Sequence, residues 1–101
     1  MSGFKARLRA DVRRTILQLL AGDLGYSHNH EVLRSAIDHA EAVTLTETEV
    51  QAHLAWLDDA GLITTETKGR FVLATITPLG LKVAEGSEVV EGVSRPRPED
   101  L

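Results

Sequence analysis

Cysteine is absent from the 101-residue chain, so no disulfide can brace it and no thiolate can ligate a metal. Thiol-based metal sensing is excluded with it. Long apolar runs are absent too. Nothing approaches the roughly 20 residues needed to cross a bilayer, and the opening stretch MSGFKARLRADVRR lacks the apolar core of a secretory signal. A cytoplasmic protein with no membrane partner is expected. No segment repeats, and between Arg34 and Lys68 there is no Lys or Arg at all.

The charge that is present is segregated. From Lys5 to Arg14, five basic residues (Lys5, Arg7, Arg9, Arg13, Arg14) stand against Asp11, which gives +4. From Asp23 to Glu66, nine acids stand against Arg34, which gives -8; Lys68 and Arg70 then return positive charge to one short turn. A protein held on nucleic acid by its whole-molecule field is normally basic, so at a net -4 any such role must rest on local clusters. The apolar fraction of 43% is that of an ordinary folded protein, and the length suits one small domain with a single core.

Leu8, Val12, Ile16, Leu19 and Leu20 recur at helical spacing and predict a first amphipathic helix over about 5–21, ended by Gly22. GDLGYSHN is a loop by composition, with Ser27 or Asn29 available to cap a second helix over about 31–41 whose stripe is Val32, Leu33, Ala36, Ile37 and Ala40. Thr46 and Glu49 form a T-x-x-E capping box that opens a third helix, and Gly61 is its left-handed stop. The period then changes. Two β-prone runs, about 62–66 and 71–77, surround the turn Thr67-Lys68-Gly69-Arg70 and predict a hairpin. Pro78 opens a short helix that ends at Gly86.

The fold class expected is mainly α with a β-hairpin: a winged helix-turn-helix of three helices, a two-stranded wing and a short C-terminal helix. Residues 1–86 are expected to form this domain, and 87–101 an extended tail, mobile from about Ser94 unless a neighbouring subunit orders it. The core is expected from Leu8, Val12, Ile16, Leu19, Leu33, Ile37, Val50, Leu54, Leu57, Leu62, Val72 and Ile76.

The segments RTILQLLAGDLGYSHNHEVLRSAI, HLAWLDDAGLIT, GRFVLATITPLGLKVAEG and VVEGVSRPRP resemble the small winged-helix proteins of Mu-like phages and prophages, often labelled ArsR-like transcriptional regulators. The similarity runs from about Leu8 to Pro98. It implies a winged-helix fold in a phage or prophage setting.

In such a fold the third helix enters the DNA major groove and its N-terminal residues touch base edges. Here that nominates Thr48, Gln51 and Ala52, with Glu47 beside them: Gln51 suits an adenine edge, Thr48 and Ala52 a thymine methyl, Glu47 a cytosine amine. The helix has no basic residue, however, and regulators of the resembled type more often carry them where this chain has Glu47 and Glu49. The plainer role of both glutamates is to stabilise the helix start by capping and dipole, about 0.3–1 kcal/mol each. Lys68 and Arg70 at the wing tip suit a groove edge or phosphate, or equally guard a hairpin edge against aggregation. The arginines of the first helix are free for DNA, for an acidic partner, or for the chain's own acidic half. Trp56 fits core-edge packing better than a partner anchor.

Four histidines raise the question of a metal, but none form an H-x-x-x-H pair on one helix, so no metal site and no cofactor is expected. The letters HNH at His28 to His30 do not make a nuclease. No Ser-His-Asp spacing, glycine-rich phosphate loop or isolated carboxylate pair is present, and no catalytic residue is nominated. The leading expectation is a phage- or prophage-encoded transcriptional regulator that binds double-stranded DNA as a homodimer without catalysis. The alternative is a winged-helix interaction module that binds a phage or host protein instead of DNA.

Overall fold

The computed structural model describes residues 3–100. The chain runs α1 (Phe4–Ala21), a 3-10 turn (Leu24–Tyr26), β1 (Ser27–Asn29), α2 (His30–Glu41), α3 (Glu47–Asp59), β2 (Ile63–Lys68), β3 (Phe71–Ile76), α4 (Pro78–Glu85) and a closing 3-10 turn (Pro98–Asp100). This is the winged helix-turn-helix arrangement, with one element more than expected. The hairpin of β2 and β3 takes β1 as a third antiparallel strand, in the order β1-β3-β2. β1 pairs Ser27 with Thr75 and Asn29 with Leu73. Three residues are too few to show an alternating pattern, so the strand has no signature beyond its pairing.

Side chains set the helix boundaries. Asn29 accepts from the Val32 N–H at 3.0 Å to open α2. Thr46 and Glu49 close both bonds of the capping box that opens α3. Beyond Asp59 the helix stops in a Schellman turn, in which Leu62 N–H reaches Leu57 O and Gly61 N–H reaches Asp58 O. Gly61 sits at φ +78, a conformation that costs glycine nothing. Thr77 caps α4 through the Gly80 N–H, with Pro78 at the first helical position.

The core gathers Val12, Ile16, Leu17 and Leu20 of α1, Leu33 and Ile37 of α2, and Val50, Leu54 and Leu57 of α3 over Leu62, Ala74 and Ile76. Leu8, Leu19 and Val72 are only partly covered, and Leu17 takes the interior place expected of Leu19. The reason is that α1 packs against both α2 and α4, which widens its buried face past a single stripe.

The tail lies against the body of the same chain. Val93 is 7% exposed and belongs to the core. Ser94 N–H donates to Ala10 O at 3.1 Å. Arg14, itself buried on α1, donates from Nη1 to Arg95 O at 3.3 Å, and Arg97 meets Glu41 at 3.3 Å. The tail therefore straps α1 and reaches α2, held by Ala10 and Arg14 of the first and Glu41 of the second.

Candidate nucleic-acid interface

Three of the four carboxylates on α3 are engaged within the chain. Glu49 accepts the Thr46 N–H at 3.0 Å, and the backbone and hydroxyl of Thr46 hold its carboxyl below the usual carboxylate range. Glu47 is 2.8 Å from the Nε2 of His30, a fully buried residue at the start of α2. Asp58 accepts from the Thr65 hydroxyl on β2. Only Asp59 has no partner among the described residues. Glu47 thus ties α3 to α2, Asp58 ties it to the sheet, and Glu49 closes the helix's own N-terminus.

Beside its exposed acids Glu47, Glu49 and Asp59, α3 presents a strip of small neutral residues. Thr48, Ala52 and Ala55 are exposed, with Gln51 half-buried beside them. This strip runs between two flanks. On the Asp58 side lies β2, leading to the wing tip; on the Glu49, His53 and Trp56 side lies the N-terminal half of α1.

At the tip, Gly69 and Arg70 form a two-residue loop closed by the pair Lys68 and Phe71. The Arg70 guanidinium lies 4.3 Å from the centre of the Phe71 ring, which limits its freedom, and Lys68 is exposed without an ion-pair partner among the described residues. The structure thus brings Thr48, Gln51 and Ala52 together on one face and Lys68 and Arg70 together at the hairpin end. No hydrogen bond or ion pair joins the two sets among the described residues.

On the other flank, α1 and α3 enclose an open groove of about 620 Å³. Trp56 forms part of its wall, with the Arg13 guanidinium 4.0 Å from the ring centre. Arg13 also donates to Gly92 O at 3.1 Å and, through Nε, to His53 Nδ1 at 3.3 Å. Burial, then the charge of Arg13, lowers the His53 pKa from 6.5 to about 4. Arg13 is itself lowered by burial and by Arg9. Trp56 is therefore held as core-edge packing under α1 and the tail. The gathering of Lys5, Arg9 and Arg13 on one groove, and the bonds of Arg13 to His53 and of His30 to Glu47, are what sequence reasoning missed. Contacts spanning 17 or 40 positions between polar residues leave no periodic trace.

His30, Glu31 and Glu47 place three potential ligand atoms within 4.8 Å of one another, so the residues need testing against a metal. His30 Nδ1 accepts the Val72 N–H at 3.0 Å and therefore carries no proton. A metal on Nε2 would move the remaining proton to Nδ1, facing that N–H donor to donor. The cluster is built for the Nε2–H to Glu47 hydrogen bond and does not fit an ion.

No protein-family model matches the chain. Over 91 residues it is 35% identical to the uncharacterized protein gp26 of Escherichia phage Mu, spanning 90% of this chain and 93% of that protein. The chain belongs to the family of phage Mu gp26. An uncharacterized protein of Haemophilus influenzae is 29% identical over 99 residues, 97% of this chain and 95% of its own. Among solved structures, a possible transcriptional regulator for arsenical resistance matches 73% of this chain and 68% of its own at 26% identity, with a TM-score of 0.56. The hsRosR-S1 complex matches 82% and 72% at a TM-score of 0.67, and at 15% identity it speaks for the fold alone. These likenesses agree with the winged-helix architecture.

Proposed function

We propose that the protein is a phage- or prophage-encoded DNA-binding regulator that acts in the cytoplasm without catalysis. The observation that carries this reading is the form of the α3 strip. Its outward residues Thr48, Ala52 and Ala55 are small enough for close approach to base edges, and three of its four acids face partners in the chain. Cations flank it, Lys5 and Arg9 on α1 and Lys68 and Arg70 on the wing, where phosphates would supply the affinity that α3 cannot. The phage relative and the regulator named for the arsenical-resistance structure support the same direction. No helix of the described residues is long and apolar enough to cross a membrane.

The long axis of the molecule is 36 Å, about one turn of B-DNA, so one copy covers a short site and a useful operator calls for a homodimer. The expected result of a fluorescence anisotropy titration on genomic fragments is salt-dependent binding. Lys68→Ala with Arg70→Ala weakens all sequences alike and flattens the salt slope by roughly one counterion per lost phosphate contact. Gln51→Ala costs about 1–3 kcal/mol on a preferred site and little on random DNA. The reading fails if no fragment binds at low salt. The remaining acidity of the segment from Asp23 to Glu66 favours one other reading, a module that docks a basic phage or host protein, and that outcome would direct the search there.

A further inference from the structure

The groove between α1 and α3 has the features of a small-molecule site. Its volume of about 620 Å³ lies in the range of ligand pockets. Its walls are apolar where Leu8, Val12, Leu45, Ala52 and Trp56 meet. Its ionic lining is unbalanced, with Lys5, Arg9 and Arg13 against Glu49 alone. Arg13 is spent on Trp56, Gly92 and His53, and Glu49 on Thr46, whereas Lys5 and Arg9 are exposed and have no ion-pair partner among the described residues.

His53 adds the decisive atom. It is 8% exposed, and because its Nδ1 accepts the Arg13 Nε–H, its proton is on Nε2. That N–H has no acceptor among the described residues, yet it is not among the fully enclosed unpaired atoms, so it opens on the groove that His53 lines. A largely buried donor that water alone can meet, in an apolar cleft with surplus positive charge, suits an anionic acceptor attached to an apolar body.

We propose that this groove binds a small carboxylate with an apolar chain, the carboxylate meeting Arg9 and the His53 Nε2–H and the chain lying on Leu8, Ala52 and Trp56. On the DNA reading above, an anion there masks the Arg9 cation on one flank of α3, which makes the site an effector site. The binding itself does not depend on that reading, and its test contains no DNA.

Trp56 is the sole tryptophan, so its emission reports on the groove directly. Octanoate is titrated into the full chain, followed by Trp56 emission and by the amide resonances of Ala52 and His53, with 1-octanol and acetate in parallel. Expected is a saturable octanoate response in the millimolar range, with 1-octanol and acetate each at least about fivefold weaker. Arg9→Gln, an exposed change, weakens octanoate about three- to tenfold and leaves 1-octanol as it was. An equal response to octanoate and 1-octanol, or no effect of Arg9→Gln, overturns the proposal. So does the absence of a saturable change in both readouts.

Discussion

At the residue scale, polar side chains buried between elements set the character of this molecule. His53 is the clearest. Its pKa falls from 6.5 to about 4 on folding, so the unfolded chain binds its proton more readily than the folded one. The stability this group contributes is complete above pH 6.5, is lost as the pH falls from 6.5 towards 4, and is gone below that. Urea unfolding at pH 7 and pH 5 is expected to show a loss of about 1–2 kcal/mol that His53→Gln largely abolishes. Equal losses in both proteins would mean that His53 is solvated. Gly80 makes a steric prediction: a Cβ there would lie 2.1 Å from Leu62 O and 2.7 Å from an Ile76 side-chain carbon. Gly80→Ala should cost at least about 2 kcal/mol, since backbone cannot move aside as a side chain can. An unchanged urea midpoint would show that α4 does not sit against Leu62.

At the element scale, what was legible in the sequence is what repeats or caps. Leu33 and Ile37 of the α2 stripe, the capping box at Thr46, the stop at Gly61 and the Pro78 start of α4 all declare themselves locally, and the fold class follows from their order, although Val32 and Ala40 of that stripe are exposed. β1 and the tail do not. β1 is a strand only because Leu73, Ala74 and Thr75 lie opposite it, and the tail is ordered by Ala10, Asp11, Arg14 and Glu41, far away in sequence. Of the candidate site, the strip of Thr48, Gln51 and Ala52 and the wing tip were legible from helical and hairpin geometry. The groove was not, because it depends on how α1 crosses α3. Deleting residues 87–101 tests the strap. The remaining chain is expected to keep its helical circular dichroism but to lose about 2–4 kcal/mol, from the burial of Val93 and from an Arg14 deprived of its carbonyl. A melting curve identical to that of the full chain would contradict the strap.

At the scale of the whole molecule, the puzzle is an acidic winged helix whose fold commonly meets polyanions. The structure reduces the conflict in part: Glu47, Glu49 and Asp58 hydrogen-bond within the chain, with Glu47 and Glu49 still exposed, while Lys5, Arg9, Lys68 and Arg70 stand to either side of the strip of Thr48, Ala52 and Ala55. The net -4 remains and sets an expectation of weak, strongly salt-dependent binding. The most direct test of DNA binding through α3 and the wing is an amide chemical-shift titration of the labelled protein with duplex DNA at low salt. The largest shifts are expected on Thr48, Gln51 and Ala52 and on Lys68 to Arg70. Shifts confined to other surfaces, or no shifts at any DNA concentration, would contradict it.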